Sequence, residues 1–415
     1  MSATATFFRS RWIERPEHVS ELEPTALPAG FRAAGMAAGL KPEGLDVGVL
    51  ASDPAETVSA ARFTTNARVG APVIVSRQAQ LDRLRAVVAN SGGSNTGDGQ
   101  RGIDTAVAMQ EAAAEQLGIE PTQVGVASTG VIGIELPREP VVAGVRAACA
   151  ALGDDAADFA AAILTSDNSP KRACLEVELD GGVVRLAAQA KGAGMIQPRF
   201  ATMFCFVQTD AQLPHDALDL LTGVCVKRSF DRISVDGQLS TSDTVFALAN
   251  GASGVAVEPE TPDELKLGQA LDALLRQLAL EIVADGEGAR RVGRIVVEGR
   301  PDAVEPVARA IANSPLVKAA LHGGDPNFGR ILQAAGAVWP PGDPFVADLS
   351  IEGRQLVSAG DAIGLDGADL RRLDELVSGD EVEYALTIPG EGGETEVFFS
   401  DLSPEYASYN AEYTS

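Results

Sequence analysis

"ACLEVELDGGVVRLAAQAKGAGMIQPRFATMFCFVQTDA" runs from Ala173 to Ala211. Its first half alternates around Asp180-Gly181-Gly182, the pattern of two antiparallel strands joined by a tight turn. Gly192 and Gly194 break the alternation, and Pro198 follows. Ala201 and Thr202 then open a second apolar run, which reads as a strand ending in a turn. The stretch predicts a hairpin, a kinked loop and a returning strand. It also leaves a bare hydroxyl, Thr202, behind a small residue at the mouth of a buried strand.

Upstream, "DVGVLAS", "APVIVS" and "RAVVANSG" read as strands, each closed by Ser, Gly or Asn. "GIDTAVAMQEAAAEQLGI" has apolar residues at helical spacing and ends in Gly. "VGVASTGVIG" reads as a strand entering a glycine-bounded turn, and "VVAGVRAACAALG" and "DDAADFAAAILTSD" as Ala-rich helices. Downstream, "PHDALDLLTGVCVKRSF" is helical and "ISVDG" a strand. "TPDELKLGQALDALLRQLALEIVADGEG" is a long capped helix that stops at a glycine-bracketed acid, Glu287. "RIVVEG", "FVADLSIEG", "EVEYALTIP" and "EVFFSDL" read as strands, "DAVEPVARAIANSP" as a helix and "HGGDPNFGR" as a rigid loop. Residues 1–25 read as a polar, Pro-containing lead-in. The tail "NAEYTS" carries nothing that would order it. There is no internal repeat. The alternation of strands and helices argues for an α/β (α+β) fold with mixed sheets.

A chain of 415 residues is expected to form two or three lobes or one large α/β body. With 45% hydrophobic and 22% charged residues, the composition is that of a soluble globular protein. A formal net charge of −25 argues against nucleic-acid or anionic-membrane partners, which need a basic footprint. No apolar stretch approaches the ~18–20 residues that span a bilayer. The first residues lack the apolar segment of a secretory signal, so a cytoplasmic location is expected. The cysteines (Cys149, Cys174, Cys205, Cys225) form no CxxC pair, and His18, His215 and His322 are scattered. That pattern argues against a disulfide framework, a zinc site or a His-based triad.

Several residues could carry chemistry. A Thr hydroxyl is a weak nucleophile without a base. Cleavage of the Ala201–Thr202 peptide would make Thr202 an N-terminus whose own α-amine, with a pKa of ~7.7–8.0, serves as that base. The glycines and proline upstream offer unusual backbone geometry for such a cut, and Ala201 is small. Thr129 and Gly130, in "ASTGVIG", could supply a hydroxyl and an uncrowded N–H to an oxyanion. Lys191 could anchor a carboxylate, and Glu287 could hold an ammonium. Each has a plain alternative: a β-forming Thr, an ordinary turn, a solvated lysine, a helix-end acid. GxxxxGK[ST] is absent, so a P-loop nucleotide site has no support.

In this order, "PAGFRAAGMAAGLK", "FTTNARVGAPV", "STGVIG", "KGAGMI", "ATM", "SFDRISVDG", "ANSPLVKAALHGGDPNFGRI" and "NAEYTS" resemble the ornithine acetyltransferase (glutamate N-acetyltransferase) family, the transacetylases of the cyclic arginine pathway. The resemblance covers about Ala26 to Ser415. It implies a fold similar to the DmpA-type aminopeptidases and a precursor that cuts itself before Thr202. The α chain would then be 26–201, after the 1–25 extension, and the β chain 202–415. It implies Thr129 and Gly130 as the oxyanion pair. Thr165 (beside Ser166 in "ILTSD"), Lys191, Thr202, Glu287, Asn410 and Ser415 are the implied substrate contacts. The implied reaction is ping-pong: Thr202 takes acetyl from N-acetylornithine and passes it to glutamate, with no metal or redox cofactor. The implied assembly is a heterotetramer of two αβ units. Acetyl-CoA as a second donor stays open.

The family's "NSGNANACTG" reads "NSGGSNTGDG" here, "PNMATM" reads "PRFATM" with Arg199 and Phe200, "DGDTSTND" reads "DGQLSTSD", and Phe328 stands in "DPNFGR". These departures leave open a relative with another acyl donor or acceptor. An N-terminal-nucleophile amidase or aminopeptidase and an unprocessed binding module are the rival readings.

Overall fold

A computed structural model describes residues 6–197 and 203–412. The hairpin expected from the sequence is there. Lys171–Leu179 pairs antiparallel with Gly182–Lys191 around Asp180-Gly181. The returning strand Phe204–Thr209 then pairs antiparallel with Gly182–Lys191, from Leu186 opposite Thr209 to Lys191 opposite Phe204. Thr244–Ala249 adds in parallel, and Val58–Phe63 and Val19–Glu21 close the two edges of a six-stranded mixed sheet.

The run "FCFVQT" is apolar throughout because both faces of this strand are covered. Side chains alternate sides along a strand. Phe204 and Phe206 face a second, four-stranded sheet and pack with Leu50, Val87, Ala89, Ala127 and Phe246. Cys205 and Val207 face the helices His215–Arg228 and Pro262–Ala284 and pack with Leu218, Leu274 and Leu278. Each buried Phe contributes about 1.5–3 kcal/mol.

The four-stranded sheet runs Phe31–Met36, Val47–Ser52, Ala86–Asn90, Val124–Ser128, with the last two parallel. Its other face buries Val49, Val88 and Val126 against helices Gly99–Leu117 and Arg138–Ala150. The layers are thus helix, sheet, sheet, helix. A third, seven-stranded sheet, which contains Val292–Gly299, carries helices Val304–Ala312, Pro315–Gly323 and Phe328–Gly336 over its own core.

Several elements differ from the sequence reading. "APVIVS" is the helix Ala71–Ser76, not a strand. A short apolar run is ambiguous between the two, and Pro72 suits a first helical turn. The lead-in is packed: Ile13 and Val19 are buried, and Trp12 Nε1 donates to Glu383 at 3.0 Å. The described part of the tail, 410–412, ends the helix Pro404–Glu412, started by Pro404, with the Ser403 hydroxyl accepting the Tyr406 N–H at 3.2 Å. "HGGDPNFGR" is the joint between two helices, the second capped by Asn327 accepting the Arg330 N–H.

Candidate active site

The site lies where strands of the two facing sheets end together. Val124–Ser128 and Ala86–Asn90 are parallel neighbours, so their C-terminal ends lie side by side. Thr129 continues the first, and its N–H donates to Asn90 O at 2.9 Å. Gly130 follows at φ +124, and a Cβ there would lie 2.7 Å from the Gly92 and Gly93 backbone. Only glycine fits this crossing of the two loops.

From the other sheet comes Lys191, the last residue of its strand and only 2% exposed. Its ammonium donates to Thr165 Oγ1 at 2.7 Å and to Thr129 Oγ1 at 3.4 Å, and lies 3.7 Å from Asp167 Oδ2. Burial lowers the Lys191 pKa, and Asp167 opposes that shift. Burial alone would raise Asp167. The nearby Lys191 and Lys171 ammonium groups and the Gly192 N–H outweigh it and hold that carboxyl below the usual carboxylate range. Lys171 is in turn shared between Asp167 at 2.7 Å and Asp285 at 2.5 Å.

Glu287 stands opposite. Its N–H donates to Ala193 O at 2.8 Å. One carboxylate oxygen accepts the Ser166 hydroxyl at 2.7 Å and the other accepts Asn410 Nδ2 at 2.8 Å. The carboxylate lies flat on Gly194, where a Cβ would come within 2.5 Å of it. The Gly192-Ala193-Gly194 kink therefore serves the approach of this acid to the strand end.

The structure thus brings together Thr129, Gly130, Thr165, Lys191, Glu287 and Asn410, named from the sequence across nearly 300 positions. Thr165 and Ser166, hard to separate in "ILTSD", take different partners: Thr165 meets Lys191 and Ser166 meets Glu287. Ala201, Thr202 and Ser415 lie outside the described residues, as do Arg199 and Phe200. Sequence reading missed Asp167, Lys171 and Asp285. The one available signal for Asp167 was its place directly after the two hydroxyls in "LTSD".

A buried hydroxyl, lysine and carboxylates converging at strand ends can orient a small zwitterion and polarise a carbonyl. Among the described residues no cluster of His, Cys, Asp and Glu is placed to hold a metal. No described helix is long and apolar enough to cross a membrane. The cysteines are unpaired, and burial pushes the Cys174 and Cys225 thiols up to about 12.

The relatives match nearly the whole chain. An arginine biosynthesis bifunctional protein ArgJ of Symbiobacterium thermophilum is 41% identical over 93% of this chain and 97% of its own. A glutamate N-acetyltransferase of Methanocaldococcus jannaschii is 39% identical over 93% and 97%. A crystal structure of ornithine acetyltransferase complexed with ornithine, from Mycobacterium tuberculosis, is 34% identical over 43% of this chain and 98% of that one, with a TM-score of 0.40. The sequence matches, not that superposition, decide the class: the protein is an acyltransferase enzyme of arginine biosynthesis. The chain belongs to the ArgJ family, whose model matches residues 32–415.

Proposed function

We propose that this enzyme cuts its own chain between Ala201 and Thr202 and then moves acetyl from N2-acetylornithine to glutamate through an acetyl-Thr202 ester. What carries the proposal is the convergence of Thr129, Thr165, Lys191, Glu287 and Asn410 around the strand end that leads toward Thr202.

In the first step Thr202 Oγ attacks the Ala201 carbonyl, the peptide C–N bond breaks and the nitrogen takes up the proton. Water hydrolyses the resulting ester, restoring the hydroxyl beside a new α-amine and leaving a carboxylate on Ala201. In the second step that amine takes the Thr202 hydroxyl proton as Oγ attacks the acetyl carbonyl. The amide C–N bond breaks, and ornithine leaves with the proton. The glutamate amine then attacks the acetyl ester, and the hydroxyl is restored. The Thr129 hydroxyl and Gly130 N–H hold the oxyanion in each acyl step. Glu287, braced by Ser166 and Asn410, holds the substrate ammonium. Lys191 fixes Thr129 and Thr165 and offers its charge to the amino-acid carboxylate, with Ser415 as a further substrate contact. This chemistry requires no metal or redox cofactor, and acetyl-CoA is a candidate second donor.

A cut at this bond leaves both products in one sheet. Gly182–Lys191 stays paired with Phe204–Thr209, and Val58–Phe63 with Thr244–Ala249. We therefore propose that α (26–201) and β (202–415) remain one αβ unit; we also propose, from the family resemblance, that two such units form a heterotetramer in the cytoplasm.

Intact mass of the purified protein should give two fragments meeting at Ala201/Thr202. Incubation with N2-acetylornithine and glutamate should give N-acetylglutamate. A Thr202→Ala chain should do neither. Release of free acetate without an acceptor would instead identify an amidase, and a single 43.0 kDa species would discard self-cleavage.

A further inference from the structure

Ile196 and Met203 flank the stretch that contains the Ala201–Thr202 bond, and one loop, residues 235–244, holds them both. At the upstream flank, Ile196 O accepts the N–H groups of Val235, Asp236 and Gly237 at 2.9, 3.2 and 3.1 Å. The Asp236 carboxylate answers by accepting the N–H groups of Met195 at 2.7 Å and Ile196 at 2.8 Å. Asp236 also accepts the Gln238 N–H at 3.1 Å and the Tyr406 hydroxyl at 3.2 Å. Met195 sits at φ +56, a left-handed conformation rare for a residue with a side chain. Two carboxylate-accepted N–H groups hold the backbone there.

At the downstream flank, Met203 N–H donates to Asp243 Oδ1 at 3.1 Å, and Met203 O accepts the Thr244 N–H at 3.2 Å. Asp243 is fully buried, and burial pushes its carboxyl up to about 8, against the hydrogen bonds it takes from Met203 N–H and from the Ser240 and Thr64 side chains.

The loop is itself fixed. Thr64 Oγ1 donates to Ser240 O at 2.6 Å, Asn66 Nδ2 to Leu239 O at 2.8 Å and Gly70 N to Thr241 O at 2.9 Å. Both flanks of the reacting stretch are therefore referenced to one immobile element, and the acyl-transfer chemistry uses neither aspartate.

We propose that Asp236 and Asp243 are positioning residues for self-cleavage. Asp236 fixes the backbone ahead of the scissile bond, and Asp243 fixes the peptide after it. This role rests on the reading that the chain cuts itself at Ala201–Thr202. Holding reacting groups in a near-attack geometry is where such fixed anchors act on rate.

The test follows splitting of the freshly made full chain by intact mass in wild type, Asp236→Asn, Asp243→Asn and Gln238→Ala. Replacing a carboxyl acceptor by an amide is expected to slow splitting by about 10–100-fold in each aspartate variant. Gln238→Ala should split at the wild-type rate. The unfolding midpoint of each aspartate variant is measured in the uncleavable Thr202→Ala chain and should stay within a few degrees of that parent. Wild-type rates in both aspartate variants would overturn the role. So would slow splitting matched by collapse of both midpoints, which assigns the aspartates to folding. A wild-type chain that never splits removes the cleavage reading itself, and the role with it.

Discussion

Asp167 is the buried counter-charge beneath the site, and Asp167→Asn tests how far the site depends on it. One carboxylate oxygen accepts Lys171 Nζ at 2.7 Å and Gly192 N–H at 2.7 Å. The other accepts Thr165 N–H at 3.2 Å and lies 3.7 Å from Lys191 Nζ. Asn keeps the volume and one acceptor but removes the charge and turns an amide toward two ammonium groups. Lys171 retains Asp285, so the loss falls mainly on Lys191, which stays buried without its ion-pair partner. Removing one partner of a buried ion pair costs about 3–5 kcal/mol. The assay is urea unfolding of the uncleavable Thr202→Ala chain with and without Asp167→Asn. A double-mutant cycle with Lys191→Met should show less than additive loss, because both changes remove the same pair. In the active chain, KM for the acetylated donor should rise as Lys191 loses its charge. The sign with pH follows from the depressed carboxyl. Its contribution is complete above the ordinary Asp pKa of about 3.9 and is lost as pH falls below that toward the folded value. A stability loss under about 1 kcal/mol, or an additive cycle, would refute the placement of Asp167 as the counter-charge.

Two further outcomes follow from the geometry. Gly194→Ala places a Cβ within 2.5 Å of the Glu287 carboxylate, so the acid must move away from the strand end. The expected result is a KM increase of roughly 10-fold for amine substrates, read by steady-state kinetics, with a stability loss of about 1–3 kcal/mol; an unchanged KM would separate Glu287 from substrate binding. Burial lowers Lys318 to about 7. Between pH 7 and the ordinary lysine value of about 10.4, the unfolded chain binds the extra proton, so wild-type stability rises with pH by about 1.4 kcal/mol per unit from this group. Lys318→Met should therefore gain most on wild type below pH 7 and progressively less up to about pH 10 in unfolding experiments; a pH-independent difference would contradict the shift.

The elements with strong local signals were legible. The Asp180-Gly181 hairpin, the helix Gly99–Leu117 and the capped helix Pro262–Ala284 follow from alternation, helical spacing and terminal residues acting over a few positions. The helix Ala71–Ser76 was not legible, because five of its six residues are buried and a fully buried run has no polar face to set its period. The packing of residues 6–25 depended on partners such as Glu383 far along the chain.

By itself the sequence determined the mixed α/β class, the family and the residue types available for acyl transfer, because strand and helix periods and motif order are local or linear properties. Only the tertiary structure decided that Lys191 meets Thr165 and Thr129, that Glu287 lies against Gly194, and that Asp167 supplies the buried negative charge between two lysines. Pair distances and burial set charge states, and both arise when segments from different sheets converge. The same holds for Asp236 and Asp243: in "DGQLSTSD" they are ordinary loop acids, and they become anchors only because the loop folds back onto Ile196 and Met203.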